Sequence, residues 1–136
     1  MNKEQILGIL PHRDDMLLLD EAESLGEGKA KGSYTVKGTE FFLNGHFPGN
    51  PVVPGVILCE IIGQTCCALF ADSMAGKTPY YAGMDKVKFR RMVKPGDKID
   101  VEVELVRSKM NVHVVSGIAT VDGDLSVRGE FTFIIA

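Results

Sequence analysis

The sequence has no excess of positive charge, few cysteines and no unbroken apolar run of membrane-spanning length. Lys and Arg number 15 against 18 Asp and Glu, for a formal net charge of −3. That balance excludes a nucleic-acid binder driven by bulk positive charge. The three cysteines are Cys59, Cys66 and Cys67. Their number is odd, two are adjacent, and none stands at metal-ligand spacing to a histidine. Free buried thiols in a reducing cytosol are expected, not a disulfide framework. Residues 51–71 are apolar enough to suggest a membrane span, but Pro54, Glu60 and Gln64 interrupt the run, so no span is expected. The opening MNKEQILGIL lacks the long apolar core of a secretory signal. No glycine-rich phosphate loop occurs and no acidic triplet accompanies any histidine, so neither a metal nor a phosphate-anchored cofactor is expected. Repeats, low-complexity segments and linkers are also missing.

What is present suits one domain. The chain has 136 residues, 45% hydrophobic and 24% charged, enough to bury a sizeable core. Residues 3–9 read as a short helix that stops before Pro11. From Met16 the stretch MLLLDEAESL reads as a strand, turning at Gly26 and Gly28 into KAKGSYTVK as a hairpin. FFLNGHFPGNP is a loop. Pro54 is expected at the first position of a helix running to about Asp72, some twenty residues or about 30 Å. Its apolar residues lie all round it, the mark of a buried helix. The segments YYAGMDKVKFRR, KIDVEVELVRS, VHVVSGIATV and SVRGEFTFII read as strands, separated by turns at Pro95-Gly96-Asp97, Lys109-Met110-Asn111 and Asp122-Gly123-Asp124. The fold class is α+β, a long helix against a largely antiparallel sheet.

Chemistry concentrates between Gly45 and Gln64. Glu60 sits among Val56, Ile57, Leu58, Ile61 and Ile62, where desolvation disfavours its charged form and should raise its pKa. Gln64 follows at i+4 on the same face, so two polar groups share one stripe of an apolar helix. His46 lies in a loop whose glycines and prolines restrict its geometry, as a positioned proton acceptor requires. Gly55 falls in the first helical turn, where backbone N–H groups lack intrahelical acceptors and carry the positive end of the helix dipole. A base, an acid and an oxyanion donor in one stretch fit removal of a proton next to a carbonyl with loss of a β-hydroxyl.

The residues LPHR (Leu10–Arg13), GHFPGNPVVPGV (Gly45–Val56), Glu60, Gln64, FRR (Phe89–Arg91) and PGD (Pro95–Asp97) carry a resemblance over nearly the whole chain. The sequence resembles the FabZ-type β-hydroxyacyl-(acyl carrier protein) dehydratases. The resemblance implies a hot-dog fold, with a central helix wrapped by an antiparallel sheet. It implies dehydration of (3R)-3-hydroxyacyl-acyl carrier protein to the trans-2-enoyl product in type II fatty acid biosynthesis, without cofactor, in the cytoplasm. By the same resemblance His46 and Glu60 are the catalytic pair, contributed by different subunits of a homodimer. Gly55 is then the backbone donor and Gln64 orients the glutamate. Dimers of this family commonly group into a hexamer, a trimer of dimers. The chain departs from the usual pattern at Asp14-Asp15, Ile61, Ile62, Gly63 and Met92, which bears on chain-length preference and the entrance loops.

Lys86, Lys88, Arg90, Arg91 and Lys94 form a basic cluster. It reads either as a solvated strand face or as a docking surface for an acidic carrier protein. His12 is expected to make a structural hydrogen bond, and His113 to occupy an ordinary strand position. Tyr80 or Tyr81 lines or gates an acyl tunnel, by the resemblance, or simply packs in the core. Three other readings of the chain stand beside the dehydratase: a thioesterase on the same fold, a non-catalytic acyl-binding module, and a dehydratase with added enoyl isomerase activity.

Overall fold

The structure, a computed structural model, describes residues 1–74 and 76–136. Six strands make one antiparallel sheet in the order β1-β2-β4-β5-β6-β3: β1 (Glu21–Gly26), β2 (Lys29–Thr35), β3 (Pro79–Phe89), β4 (Lys98–Lys109), β5 (Val112–Val121) and β6 (Asp124–Ile135). The α2 helix (Gly55–Thr65) packs against β2, β4, β5 and β6, and the short α1 (Lys3–Leu7) precedes the sheet. This is the hot-dog arrangement. Among the described residues no helix is long and apolar enough to cross a membrane.

Alternation builds the sheet. In β4 the side chains of Ile99, Val101 and Val103 are buried while Lys98, Asp100, Glu102 and Glu104 are exposed, the period-2 pattern of a half-buried strand. Register sets Lys29 opposite Glu104 and Lys31 opposite Glu102, so unlike charges face each other on the outer surface. Met110, Asp122 and Gly123 take positive φ in the turns that join β4 to β5 and β5 to β6, the backbone that tight hairpins require.

Four expectations need correction. First, α2 begins with Pro54 as its N-cap and Gly55 as its first residue, and it ends at Thr65 instead of near Asp72. Thr65 Oγ1 donates to Ile61 O at 2.9 Å and Cys66 Sγ to Ile62 O at 3.4 Å. These side-chain bonds compete for the carbonyls of the last turn, and the chain tightens into 3-10 turns at Cys66–Ala68 and Ala71–Ser73. Second, α2 is not covered all round. Val56 is 72% exposed, and Glu60 and Gly63 on the same i, i+4, i+7 stripe are only partly covered. Third, no strand begins at Met16. Asp14–Met16 is a 3-10 turn and β1 starts at Glu21, because the Leu18 N–H is taken by the side-chain oxygen of Gln64 at 2.8 Å and not by a neighbouring strand. Fourth, the N-terminal helix stops at Leu7. Its start matches its composition: Asn2 and Gln5 form a reciprocal capping box.

The loop between β2 and α2 is braced at its start by Glu40. Its carboxylate accepts from Tyr34 Oη at 2.7 Å, Lys37 N at 2.9 Å and Gly38 N at 2.7 Å. Burial alone would raise the Glu40 pKa, but these donors outweigh it and hold the pKa down from the ordinary 4.5 to about 2. The folded value lies below the unfolded one, so the Glu40 contribution to stability is complete above about pH 4.5 and is lost as pH falls toward 2. Urea unfolding of the wild type and Glu40→Gln checks this. The wild-type advantage should be largest near neutral pH and vanish by about pH 2; an advantage that is constant across that window would contradict it.

Candidate active site

His46 stands in the loop before α2, and the loop holds it from both sides. Its N–H donates to Leu43 O at 3.2 Å, and its carbonyl accepts from Val52 N at 2.8 Å. Phe47 and Asn50 exchange backbone bonds at 3.1 and 2.9 Å across the intervening Pro48-Gly49. The imidazole stacks on Phe47 with ring centroids 4.3 Å apart. Its Nδ1 lies 3.0 Å from Val52 O. A carbonyl oxygen can only accept, so Nδ1 carries the hydrogen and, in the neutral ring, Nε2 keeps its lone pair. That is the tautomer a base needs.

His46 lines an open cavity of about 400 Å³ with Gly55, Val56, Leu58, Phe89 and Arg90 among its walls. Val56, Phe47, Phe89 and Met92 leave much of its rim apolar and exposed. Gly55 opens α2 at this cavity. Ile57 N and Leu58 N both reach Pro54 O, at 2.9 and 3.3 Å, while the Gly55 N–H has no acceptor among the described residues. A Cβ at position 55 would stand 2.6 Å from Phe89 Cε1. The space released by the glycine is therefore filled by the Phe89 ring. Ser126, which the sequence did not single out, lines the same cavity with a buried Oγ that has no partner among the described residues.

Glu60 faces a separate, small pocket of about 20 Å³ lined by His12, Gly63, Gln64, Pro79, Tyr81 and Phe133. Among the described residues none lines both spaces. Among the described residues, His46 and Glu60 thus line different cavities of the one chain. Glu60 is also not sealed in apolar surroundings. Its Oε2 accepts from Gln64 Nε2 at 2.9 Å and lies 3.1 Å from His12 Nε2. Gln64 is 1% exposed and fully satisfied, with Nε2 also donating to Met16 O at 2.7 Å and Oε1 accepting from Leu18 N at 2.8 Å. The His12 contact was not legible: its only sequence signal is its place in LPHR.

Of the two tyrosines, Tyr81 borders the Glu60 pocket and its hydroxyl donates to Cys59 O. Burial, with the neighbouring Cys66 and Glu60 adding, pushes its pKa far up, so it stays a neutral donor. Gly63 makes room for it, since a Cβ there would stand 2.6 Å from Tyr81 Oη. Tyr80 is exposed. The cysteines are buried and free; burial pushes the Cys67 thiol up to about 12 and the Cys66 thiol higher, so neither is a nucleophile near neutral pH. His113 lies elsewhere, 2.7 Å from Ser108 Oγ and against the Phe70 ring, with burial pushing its pKa down. Among the described residues no three His, Cys, Asp or Glu side chains come together as a metal site.

The basic cluster is not uniform. Arg91 Nη1 donates to Asp124 Oδ2 at 2.8 Å and to Val121 O at 3.1 Å, and Lys86 Nζ lies 3.9 Å from Glu130. Lys88, Arg90 and Lys94 have no carboxylate within ion-pair distance among the described residues, and Arg90 lies at the mouth of the His46 cavity.

Comparison with known proteins gives a consistent result. A family model described as the FabA-like domain matches residues 10–130. The 3-hydroxyacyl-[acyl-carrier-protein] dehydratase FabZ of Caldicellulosiruptor bescii is 43% identical over 137 residues, covering 98% of each chain. The protein of the same name from Bacillus subtilis is 40% identical over 136 residues, covering 98% of this chain and 96% of its own. Among solved structures, the dehydratase heterocomplex ApeI:P from Xenorhabdus doucetiae matches with a TM-score of 0.82 at 18% identity, over 96% of this chain and 90% of that one. That last likeness speaks to the fold alone. Identity at this level over nearly the full length of the relatives shows that the chain belongs to the FabZ-type 3-hydroxyacyl-[acyl-carrier-protein] dehydratase family.

Proposed function

We propose that this protein removes water from a (3R)-3-hydroxyacyl thioester carried on acyl carrier protein and yields the trans-2-enoyl thioester, as a step of fatty acid biosynthesis in the cytoplasm. His46 Nε2 takes the proton from C2. The hydroxyl leaves C3 with a proton from the Glu60 carboxyl, and the Gly55 N–H steadies the charge that develops on the thioester oxygen. No cofactor is needed, because the electrons of the broken C–H bond form the double bond as the hydroxyl departs.

The observation that carries this reading is the His46 tautomer, with Nδ1–H committed to Val52 O and Nε2 open beside an apolar cavity. The division of His46 and Glu60 between two spaces supports a site completed by a second copy of the single-domain chain, in a homodimer or a trimer of dimers. The exposed stripe of α2 and the unpaired edge of β3 suit such a contact. A thioesterase would use a carboxylate to activate water at the thioester carbon and would leave the His46 base little to do.

The test adds trans-2-enoyl-acyl carrier protein, or its pantetheine analogue, and follows the conjugated-thioester absorbance together with free thiol. Loss of absorbance without thiol release is expected. Thiol release would make the protein a thioesterase, and binding with neither would make it an acyl-binding module. The same assay examines docking. Charge reversal at Lys88 and Lys94 should raise KM for the carrier-linked substrate several-fold and leave the pantetheine KM unchanged, with carrier binding weakening as salt rises. Equal effects on both substrates would remove the docking role.

A further inference from the structure

We propose that His12 is a positioning residue for Glu60: together with Gln64 it confines the acid proton to Oε1, the carboxyl oxygen that has no partner among the described residues. This rests on the reading of Glu60 as the general acid.

The segment that carries His12 is braced. The Arg13 guanidinium donates to Leu10 O at 2.7 Å, to His12 O at 2.8 Å and to Leu7 O at 3.0 Å. The carbonyl of Leu7 at the end of α1 and those of Leu10 and His12 beyond it are thus tied to one planar group. From this turn the imidazole presents Nε2 to Glu60 Oε2 at 3.1 Å, with the two side chains 20% and 22% exposed.

Two arguments fix the direction of the bonds. A backbone N–H only donates and a backbone carbonyl only accepts. Leu18 N–H therefore requires Gln64 Oε1, and Met16 O requires Gln64 Nε2. The amide has one orientation, and its nitrogen donates to Glu60 Oε2. For His12 the decisive atom is Nδ1, which is buried and has no hydrogen-bond partner among the described residues. A hydrogen on Nδ1 would leave a buried donor without an acceptor and would also turn the Nε2 lone pair toward the lone pairs of Oε2. The hydrogen belongs on Nε2, which then donates to Oε2.

Oε2 therefore receives two N–H donors. In the acid form of Glu60 a proton on the same oxygen would meet both of them head-on, so the acid form carries its proton on Oε1. His12 takes no proton in this arrangement, because the nitrogen that faces Glu60 already carries one. Its work is to hold the carboxyl in one rotation, so that the acid is aimed outward before substrate arrives.

The experiment compares His12→Ala, His12→Gln and Glu60→Gln, alone and combined, with steady-state kinetics on the pantetheine substrate. A glutamine at position 12 can return an N–H donor near the place of Nε2. His12→Ala should lower kcat roughly tenfold or more with KM within about twofold, and His12→Gln should recover most of the loss. In a Glu60→Gln background, His12→Ala should cost nothing further, since the group it positions is gone. Nitrogen-15 NMR of the wild-type imidazole should find the Nε2–H tautomer, a readout that does not depend on any variant folding. An unchanged kcat in His12→Ala, no recovery in His12→Gln, or a Nδ1–H tautomer would overturn the proposal. Full activity in Glu60→Gln would overturn the acid role of Glu60 itself, and the proposal with it.

Discussion

His46→Ala and Glu60→Gln should each lower kcat at least about a hundredfold, the scale of general acid–base transfer, and mixing the two inactive proteins should bring part of the activity back. The first half follows from the chemistry. Without His46 no positioned lone pair meets the C2 proton, and a glutamine at position 60 keeps the shape of the side chain but has no acid proton to give. The second half follows from the geometry. His46 opens onto the cavity beside Phe89 and Val56, while Glu60 faces the pocket under Tyr81, and the two spaces share no wall among the described residues. If each working site takes His46 from one chain and Glu60 from another, a hybrid dimer has one intact site and one that lacks both groups. After complete random exchange about half the dimers are hybrids, so roughly a quarter of the wild-type rate should return. The rate is read after mass analysis has confirmed exchange. No recovery in an exchanged mixture would place both groups in one chain and refute the shared site.

Gly117→Ala should destabilise the protein by about 1–3 kcal/mol, the usual cost of forcing a methyl into a filled core. A Cβ at this position would stand 2.6 Å from Ile62 Cγ2 and 3.5 Å from both Phe131 Cε2 and Val103 Cγ1. Ile62 and Phe131 are 0% exposed, so neither can swing into solvent. Glycine in the middle of β5 is what lets α2 settle onto the sheet, a close approach that any side chain would prop open. Ile62 lies on α2 between Glu60 and Gln64, so lifting it should also disturb the carboxyl. Gly83→Ala serves as the control: its nearest neighbour there would be Thr132 Cβ at 3.9 Å, ordinary contact, and its effect should stay within about 0.5 kcal/mol. Urea midpoints measure both. Equal midpoints for Gly117→Ala and the wild type would mean that the helix rides freely over β5.

The residues that misled the sequence reading share a cause. Leu17, Leu18 and Leu19 look like a strand because they are apolar and contiguous, and they are indeed buried. Their backbone, however, is claimed by Gln64, a partner that no local window contains. The apolar run after Thr65 looks like more helix, yet Thr65 and Cys66 turn their side chains back onto the carbonyls of Ile61 and Ile62 and end it. Arg91 reads as one of five free cations, and the turn after β5 brings Asp124 to it. Each error is a long-range contact, or a competition for a backbone group, overriding a local propensity.

By itself the sequence determined the strand faces, through alternation in β4, and the tight turns, through glycine and asparagine-type positions. It also determined which side chains could exchange protons, through the dense block from Gly45 to Gln64. Only the tertiary structure decided that His12 and Gln64 converge on a single oxygen of Glu60, that His46 keeps Nε2 unprotonated, and that one stripe of α2 stays uncovered. Those outcomes depend on where backbone donors and acceptors from distant segments come to lie. Hydrogen-bond direction is set by such neighbours in space, not by the order of residues along the chain.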